Sequence, residues 1–67
     1  MDKLHEIADE QARLYYAGEV TIAEATVTIH AGLDPEYCRE NPDTSWQWAR
    51  ELFHEALDHI EKEPNNE

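Results

Sequence analysis

A stripe of apolar residues between positions 46 and 60 constrains the fold of this chain more than any other feature of its sequence. Its members recur every three or four residues, the spacing that places side chains on one face of an α-helix. Thr44 and Gln47 have the spacing of a capping box, which predicts a helix that opens at Thr44 and runs to about Lys62. The stripe, which should face the core, consists of Trp46, Ala49, Leu52, Phe53, Ala56, Leu57 and Ile60.

The first part of the chain predicts a second amphipathic helix, from about Asp2 to Ala17. Asp2 is suited to cap its start, and Gly18 is suited to the left-handed conformation that often follows a helix end. Charged residues separate the apolar positions, as expected of a helix with one exposed face. Those apolar positions are Leu4, Ile7, Ala8, Ala12, Leu14 and Tyr15.

The middle of the chain admits two interpretations. Thr21 and Glu24 repeat the capping-box spacing and favour a helix over Ile22–Ala31. The β-branched, alternating run Thr26–Ile29 instead suits a strand, so residues 26–30 remain either helix or strand. Gly32 is a stop signal in both cases.

A short connector joins the middle segment to the last helix. Asp34 followed by Pro35 predicts a brief helical turn to about Arg39, which Asn41–Pro42 then breaks. The predicted fold class is therefore all-α, a small three-helix domain with a short additional helical turn, whose middle segment is β in the alternative. The chain forms one domain, residues 1–67, with a polar tail at 63–67 that should fray.

Charge restricts the partners of the chain. Sixteen acidic residues against five Lys and Arg give a net charge of −11, which repels nucleic-acid phosphates and anionic membrane surfaces. We expect no direct nucleic-acid or membrane binding and a basic protein surface as partner, with a homodimer also compatible with so small a core. The alternative is that the acidity only keeps the protein in solution.

Cys38 is the only cysteine, so the chain can form no internal disulfide and no cysteine-based zinc cluster. The N-terminus shows no apolar signal region, and no apolar run approaches the roughly 20 residues that a membrane helix needs. A reducing, cytoplasmic location is expected.

Histidines and carboxylates lie four residues apart in the last predicted helix, His54 with Asp58 and Glu55 with His59. The two histidines are five residues apart and point in different directions around a helix, unlike the zincin pattern, so no metal site is predicted. The sequence also lacks a nucleophile elbow and a glycine-rich phosphate loop. We therefore expect no enzyme activity, no catalytic residue and no cofactor.

The carboxylates of the last predicted helix are the more informative pattern. Glu51, Glu55 and Asp58 fall on one side of it, with near neighbours about 6 Å apart. Successive phosphates of a nucleic-acid strand are separated by a similar distance, roughly 7 Å along the backbone. This side could therefore offer carboxylates to the Arg and Lys residues of a phosphate-binding surface, or could simply be a solvated helix face.

Two further features extend this candidate partner-binding site. Glu6, Asp9 and Glu10 form a second acidic cluster on the first predicted helix. Trp48 lies beyond the edge of the apolar stripe, where it is either an exposed interface anchor or a residue covered by another helix.

In size, acidity and absence of catalytic motifs, the chain resembles small phage-encoded inhibitors that include anti-CRISPR proteins, several of which imitate DNA and block the nucleic-acid channel of their target. This resemblance implies a non-enzymatic inhibitor that occupies a basic, nucleic-acid-binding surface. Separately, residues Tyr16–Ala25 resemble the helix-turn-helix pattern of some small bacterial antitoxins. The inhibitory Ser/Thr-x-x-x-Glu-Gly/Asn helix of antitoxins that restrain adenylylating toxins is not recognisable. The second hypothesis is thus an antitoxin-like or regulatory protein, compatible with a homodimer, that binds through an apolar surface.

Overall fold

A computed structural model describes residues 3–62 and contains four α-helices in that range. They are α1 (Lys3–Tyr16), α2 (Ile22–Ala31), α3 (Pro35–Glu40) and α4 (Pro42–Lys62). No strand occurs within the described residues, so the all-α prediction is confirmed and the strand alternative for residues 26–30 is wrong. The predicted cap at Asp2 and the predicted fraying of 63–67 fall outside the described residues.

The end of α1 follows the predicted glycine signal. Gly18 has a φ of 80°, the left-handed conformation that glycine adopts without steric cost. The Glu19 N–H donates to the Leu14 carbonyl at 2.9 Å, and the Gly18 N–H donates to the Tyr15 carbonyl at 3.0 Å. This pair of bonds is a Schellman motif, which satisfies the last carbonyl groups of the helix.

The beginning of α2 shows why this segment is helical rather than extended. The Thr21 hydroxyl accepts from the Glu24 N–H at 3.1 Å, and the Glu24 carboxylate accepts from the Thr21 N–H at 2.9 Å. The threonines that favoured a strand bond within the helix, because Thr26 donates to the Ile22 carbonyl at 2.8 Å. Thr28 likewise donates to the Glu24 carbonyl at 3.1 Å. Each hydroxyl thus finds an acceptor one turn earlier, as threonine can in a helix.

The predicted start of the last helix is wrong, because α4 begins at Pro42 rather than at Thr44. Asn41 ends α3 in a non-helical conformation, and its carbonyl accepts the Ser45 N–H at 2.8 Å, the first hydrogen bond of α4. Proline suits the next position because its φ is already helical and the N–H that it lacks would have no partner there. Asn41–Pro42 therefore breaks one helix and starts the next without an intervening loop.

The helices form a small bundle in which α2 runs against both of its long neighbours. The end of α2 approaches the start of α1, since a β-carbon added at Gly32 would lie 2.9 Å from Cδ1 of Ile7. The same end approaches the start of α4 through His30 and Ser45, whose side chains are 3.0 Å apart. Both α1 and α4 are therefore antiparallel to α2, and they run in the same direction as each other.

Small residues build much of the core. Within residues 3–62, alanine contributes five of the nine buried apolar residues, which lets the helices approach closely, and Phe53 and Ile29 supply the largest fully buried apolar side chains. Trp46 departs from the predicted stripe, because 37 % of it stays exposed where it packs on α2 rather than in the core. No helix in residues 3–62 is long and apolar enough to cross a membrane. The buried apolar residues are Ala8, Ala12, Ala25, Ile29, Leu33, Ala49, Leu52, Phe53 and Ala56.

Candidate functional site

The two predicted acidic clusters border the same groove, which lies between α1 and α4. Asp9 of the first cluster and Glu55 of the second both line it. The His5 Nε2 atom lies 3.9 Å from a carboxylate oxygen of Glu55, which places the two helices side by side at this point. His5 and Glu55, which are 50 positions apart in the chain, therefore meet because α1 and α4 pack against each other.

This α1–α4 groove has a volume of about 300 Å³. Its lining combines buried apolar side chains, which form the floor, with carboxylates and imidazoles, which form the walls. The lining residues are His5, Ala8 and Asp9 from α1 and Leu52, Glu55, Ala56 and His59 from α4.

The other acids of the predicted site have different surroundings. Glu6 and Glu10 are exposed on α1. On α4, Glu51 accepts a hydrogen bond from the Gln47 amide at 3.3 Å, and Asp58 pairs with Lys62 at 3.3 Å. Lys62 therefore offsets part of the charge of the α4 cluster. Of the three acids in that cluster, Glu55 is the one that lines the groove.

Metal-ligand geometry is not found in this region. Among residues 3–62, no group of three or more His, Cys, Asp or Glu side chains is arranged to hold a metal ion. This includes the histidines and carboxylates around the groove. They form groove walls of mixed charge and polarity.

Trp48 does not lie in the α1–α4 groove. Its ring packs edge-on against Tyr37 of α3, with ring centroids 5.6 Å apart and planes at 86°, and 40 % of the residue remains exposed. It lines a second groove of about 620 Å³. A neighbouring helix thus contacts one edge of Trp48, while the remainder of the residue faces outward. The second groove is lined by Lys3, Leu4, Ile7, Gly32, Leu33, Asp34, Tyr37 and Trp48.

A polar contact between α2 and α4 was not predicted from the sequence. Ser45 is fully buried, donates to the Pro42 carbonyl at 2.9 Å and lies 3.0 Å from His30 Nε2. Which of Ser45 and His30 donates in the second contact depends on the tautomer of the imidazole. The His30 ring also stacks on Trp46, with centroids 3.7 Å apart and planes at 5°. No spacing in the sequence signals this contact, which depends on how two helices pack.

Several exposed residues of α2 are apolar, and Glu24 is the only acidic residue that this helix carries. Val27 and Ile22 are 55 % and 48 % exposed, and Ala23 and Ala31 are exposed near them. We call these four residues the α2 face. It contrasts with the acidic α1–α4 side.

Tyr16 carries a phenol whose ionisation the fold alters. Its hydroxyl donates to a Glu61 carboxylate oxygen at 2.8 Å and so joins the ends of α1 and α4. This hydrogen bond, followed by desolvation and the negative charge of Glu61, raises the pKa of Tyr16 above its ordinary value of 10.0.

Comparisons with known proteins return no relative that bears on these surfaces. No protein-family model, curated protein or solved structure matches the chain.

Proposed function

We propose that this chain is a non-enzymatic, acidic binding protein that inhibits a larger protein by occupying a basic surface of the kind that binds nucleic acid. Anti-CRISPR proteins that imitate DNA exemplify this type of inhibitor. The observation that supports the proposal best is that Asp9 and Glu55, one from each acidic cluster, line a single groove. Carboxylates presented together by two helices are negative, so they complement the positive charge of a surface that binds phosphates.

The overall charge supports the same proposal. With a net charge of −11, the chain has a negative field that speeds its encounter with a basic surface and that salt weakens. Nucleic acid would compete for that surface because it carries the same sign of charge. Inhibition would then follow from occupancy alone, without a chemical step.

The α2 face supports a second candidate, an antitoxin-like or regulatory protein that binds through an apolar surface. Val27 and Ile22 stay about half exposed on a helix with one acidic side chain, so a partner could bury them without desolvating many charges. This candidate predicts binding that depends little on salt. A second copy of the chain is one form that such a partner could take.

A pull-down from a lysate of the host that carries the gene separates the two candidates. The tagged chain would be washed at low and then high salt, and duplex DNA would be added to a parallel sample as competitor. The first candidate predicts a nucleic-acid-binding protein that is released by salt and displaced by DNA. The triple variant Glu51→Gln/Glu55→Gln/Asp58→Asn should fail to capture it.

The matched control removes three charges elsewhere, through Glu19→Gln, Glu36→Gln and Glu40→Gln. These exposed residues lie in the turn after α1 and on α3, so a control that captures the partner normally would locate binding on the α1–α4 side. Equal loss in both triple variants would mean that only net charge matters, which contradicts a specific acidic site. A partner that resists high salt and is lost on Val27→Ser would instead favour the α2 face.

A further inference from the structure

We propose that the α1–α4 groove receives an arginine side chain from the partner's basic surface. This inference rests on the proposed function and specifies the chemistry that the groove would recognise. The apolar floor, the carboxylates on its two sides and its size point to the same occupant.

The floor fits the aliphatic part of a long basic side chain. Ala8, Leu52 and Ala56 are at least 95 % buried and present only hydrocarbon to the groove. Arginine and lysine bury their methylene groups along such surfaces while the charged head reaches polar groups beyond. The two alanines leave space for this stem, which larger apolar residues would fill.

The walls fit the head of an arginine. Asp9 comes from α1 and Glu55 from α4, so carboxylates approach the groove from two helices. A guanidinium carries five N–H donors in a planar fork, so it can donate to carboxylates on both of its sides. The ammonium of lysine instead acts as a compact point charge. The rings of His5 and His59 add flat surfaces on which a guanidinium can stack. The two carboxylates and the net charge of −11 disfavour an anionic occupant.

The size of the groove is sufficient for one long side chain. Its volume of about 300 Å³ equals the lower end of the range for small-molecule pockets, about 300–1,000 Å³. Those pockets enclose most of their ligand, whereas this groove lies open between two exposed helix surfaces. An arginine side chain that projects from a partner protein suits both the volume and the open form of the groove. The side chain is small enough to enter, and the rest of the partner stays outside.

Titration of the ¹⁵N-labelled chain with N-acetyl-arginine amide, followed by NMR, tests this directly. We expect saturable shifts of the backbone amides of Asp9, Glu55 and His59, and no comparable shifts at Glu36 or Glu40. Methylguanidinium, which has the charge but no stem, should bind more weakly because it cannot cover the floor. N-acetyl-lysine amide should bind more weakly because it lacks the fork. Equal shifts around all acidic residues, or equal affinity for the three probes, would overturn the proposal.

A pair of double variants isolates the two carboxylates. Asp9→Asn/Glu55→Gln should weaken binding of the arginine probe about fivefold, the effect of losing two exposed ion pairs. The control Glu36→Gln/Glu40→Gln removes the same charge from α3 and should change the affinity less than about twofold. Equal effects of the two variants would show that the groove does not select the cation. Circular dichroism confirms that each variant is folded.

Different results would contradict the groove proposal and the proposed function. If a salt-released partner is captured equally well by wild type and by Asp9→Asn/Glu55→Gln, the groove proposal is wrong while the inhibitor proposal stands. If the arginine probe maps to the groove but no nucleic-acid-binding partner is captured, the groove binds arginine and the proposed function is wrong.

Discussion

Gly18 shows how much the backbone conformation of a single residue contributes to the stability of the fold. Because its φ is 80°, any side chain added there is strained even though nothing lies within 4 Å of the added β-carbon. Gly18→Ala should destabilise the protein by about 1 kcal/mol. Chemical denaturation followed by circular dichroism measures this cost. An unchanged free energy of unfolding would mean that the turn does not require the left-handed conformation.

Tyr16 is expected to lose its proton later than an ordinary phenol. Since its pKa in the folded state lies above 10.0, the neutral phenol is favoured by folding. The associated stability is fully present below pH 10 and is lost as the pH rises through the folded-state pKa. In ultraviolet absorbance of tyrosinate against pH, the step that disappears in Tyr16→Phe should lie above pH 10. Glu61→Gln should move that step to lower pH, whereas an unmoved step would exclude Glu61 as the cause.

Residue-scale signals were predictable where the cause is local. The glycine at position 18 and the capping pair Thr21 and Glu24 act within a few residues of sequence, and the structure confirms both. Ser45 was not identified, because its burial and its contact with His30 depend on a helix that lies 15 positions away. A serine near a helix start looks the same in sequence whether it faces solvent or the core.

At the scale of the element, the capping box should account for much of the local stability of α2. This helix has only 10 residues and four β-branched positions among its inner six, so its own propensity is low. Thr21→Ala removes the N-cap and should cost about 1 kcal/mol. Thr28→Ala is the matched control, since it removes an exposed hydroxyl without touching the cap and raises helix propensity. Equal losses in denaturation experiments would show that the cap is unimportant.

The boundary of α4 shows where pattern reasoning fails for a whole element. The capping-box spacing of Thr44 and Gln47 was a valid signal, but Asn41 followed by proline supplied an equally good start three residues earlier. The longer helix keeps Ser45 inside its first turns, where the serine bonds to Pro42. Two adequate start signals compete in the sequence, and only the packed arrangement shows which one is used.

At the scale of the whole molecule, a net charge of −11 on 67 residues should make stability depend on ionic strength. Raising salt from about 0.01 M to about 0.15 M shortens the screening length from about 30 Å to about 8 Å. Repulsion among the acids then weakens, so the Tm from thermal unfolding should rise. A falling Tm would mean that attractive pairs such as Lys62 with Asp58 outweigh the repulsion.

The arrangement of the acidic side was only partly predictable from the sequence. Periodicity identifies which residues share a face of one helix, and it placed Glu51, Glu55 and Asp58 together on that basis. It carries no information on the direction in which two helices run or on which turns meet. The placement of Asp9 and Glu55 along one groove, and the separation of Trp48 from that groove, follow from the parallel packing of α1 and α4.

The different surroundings of the two tryptophans give the molecule a pair of intrinsic fluorescent reporters. Trp46 stacks on His30 of α2, and Trp48 packs against Tyr37 of α3. The variant Trp48→Phe leaves emission that follows the contact between α2 and α4, and Trp46→Phe leaves emission that follows the contact between α3 and α4. Stopped-flow refolding of the two variants can thus time the docking of each helix separately, without an added dye.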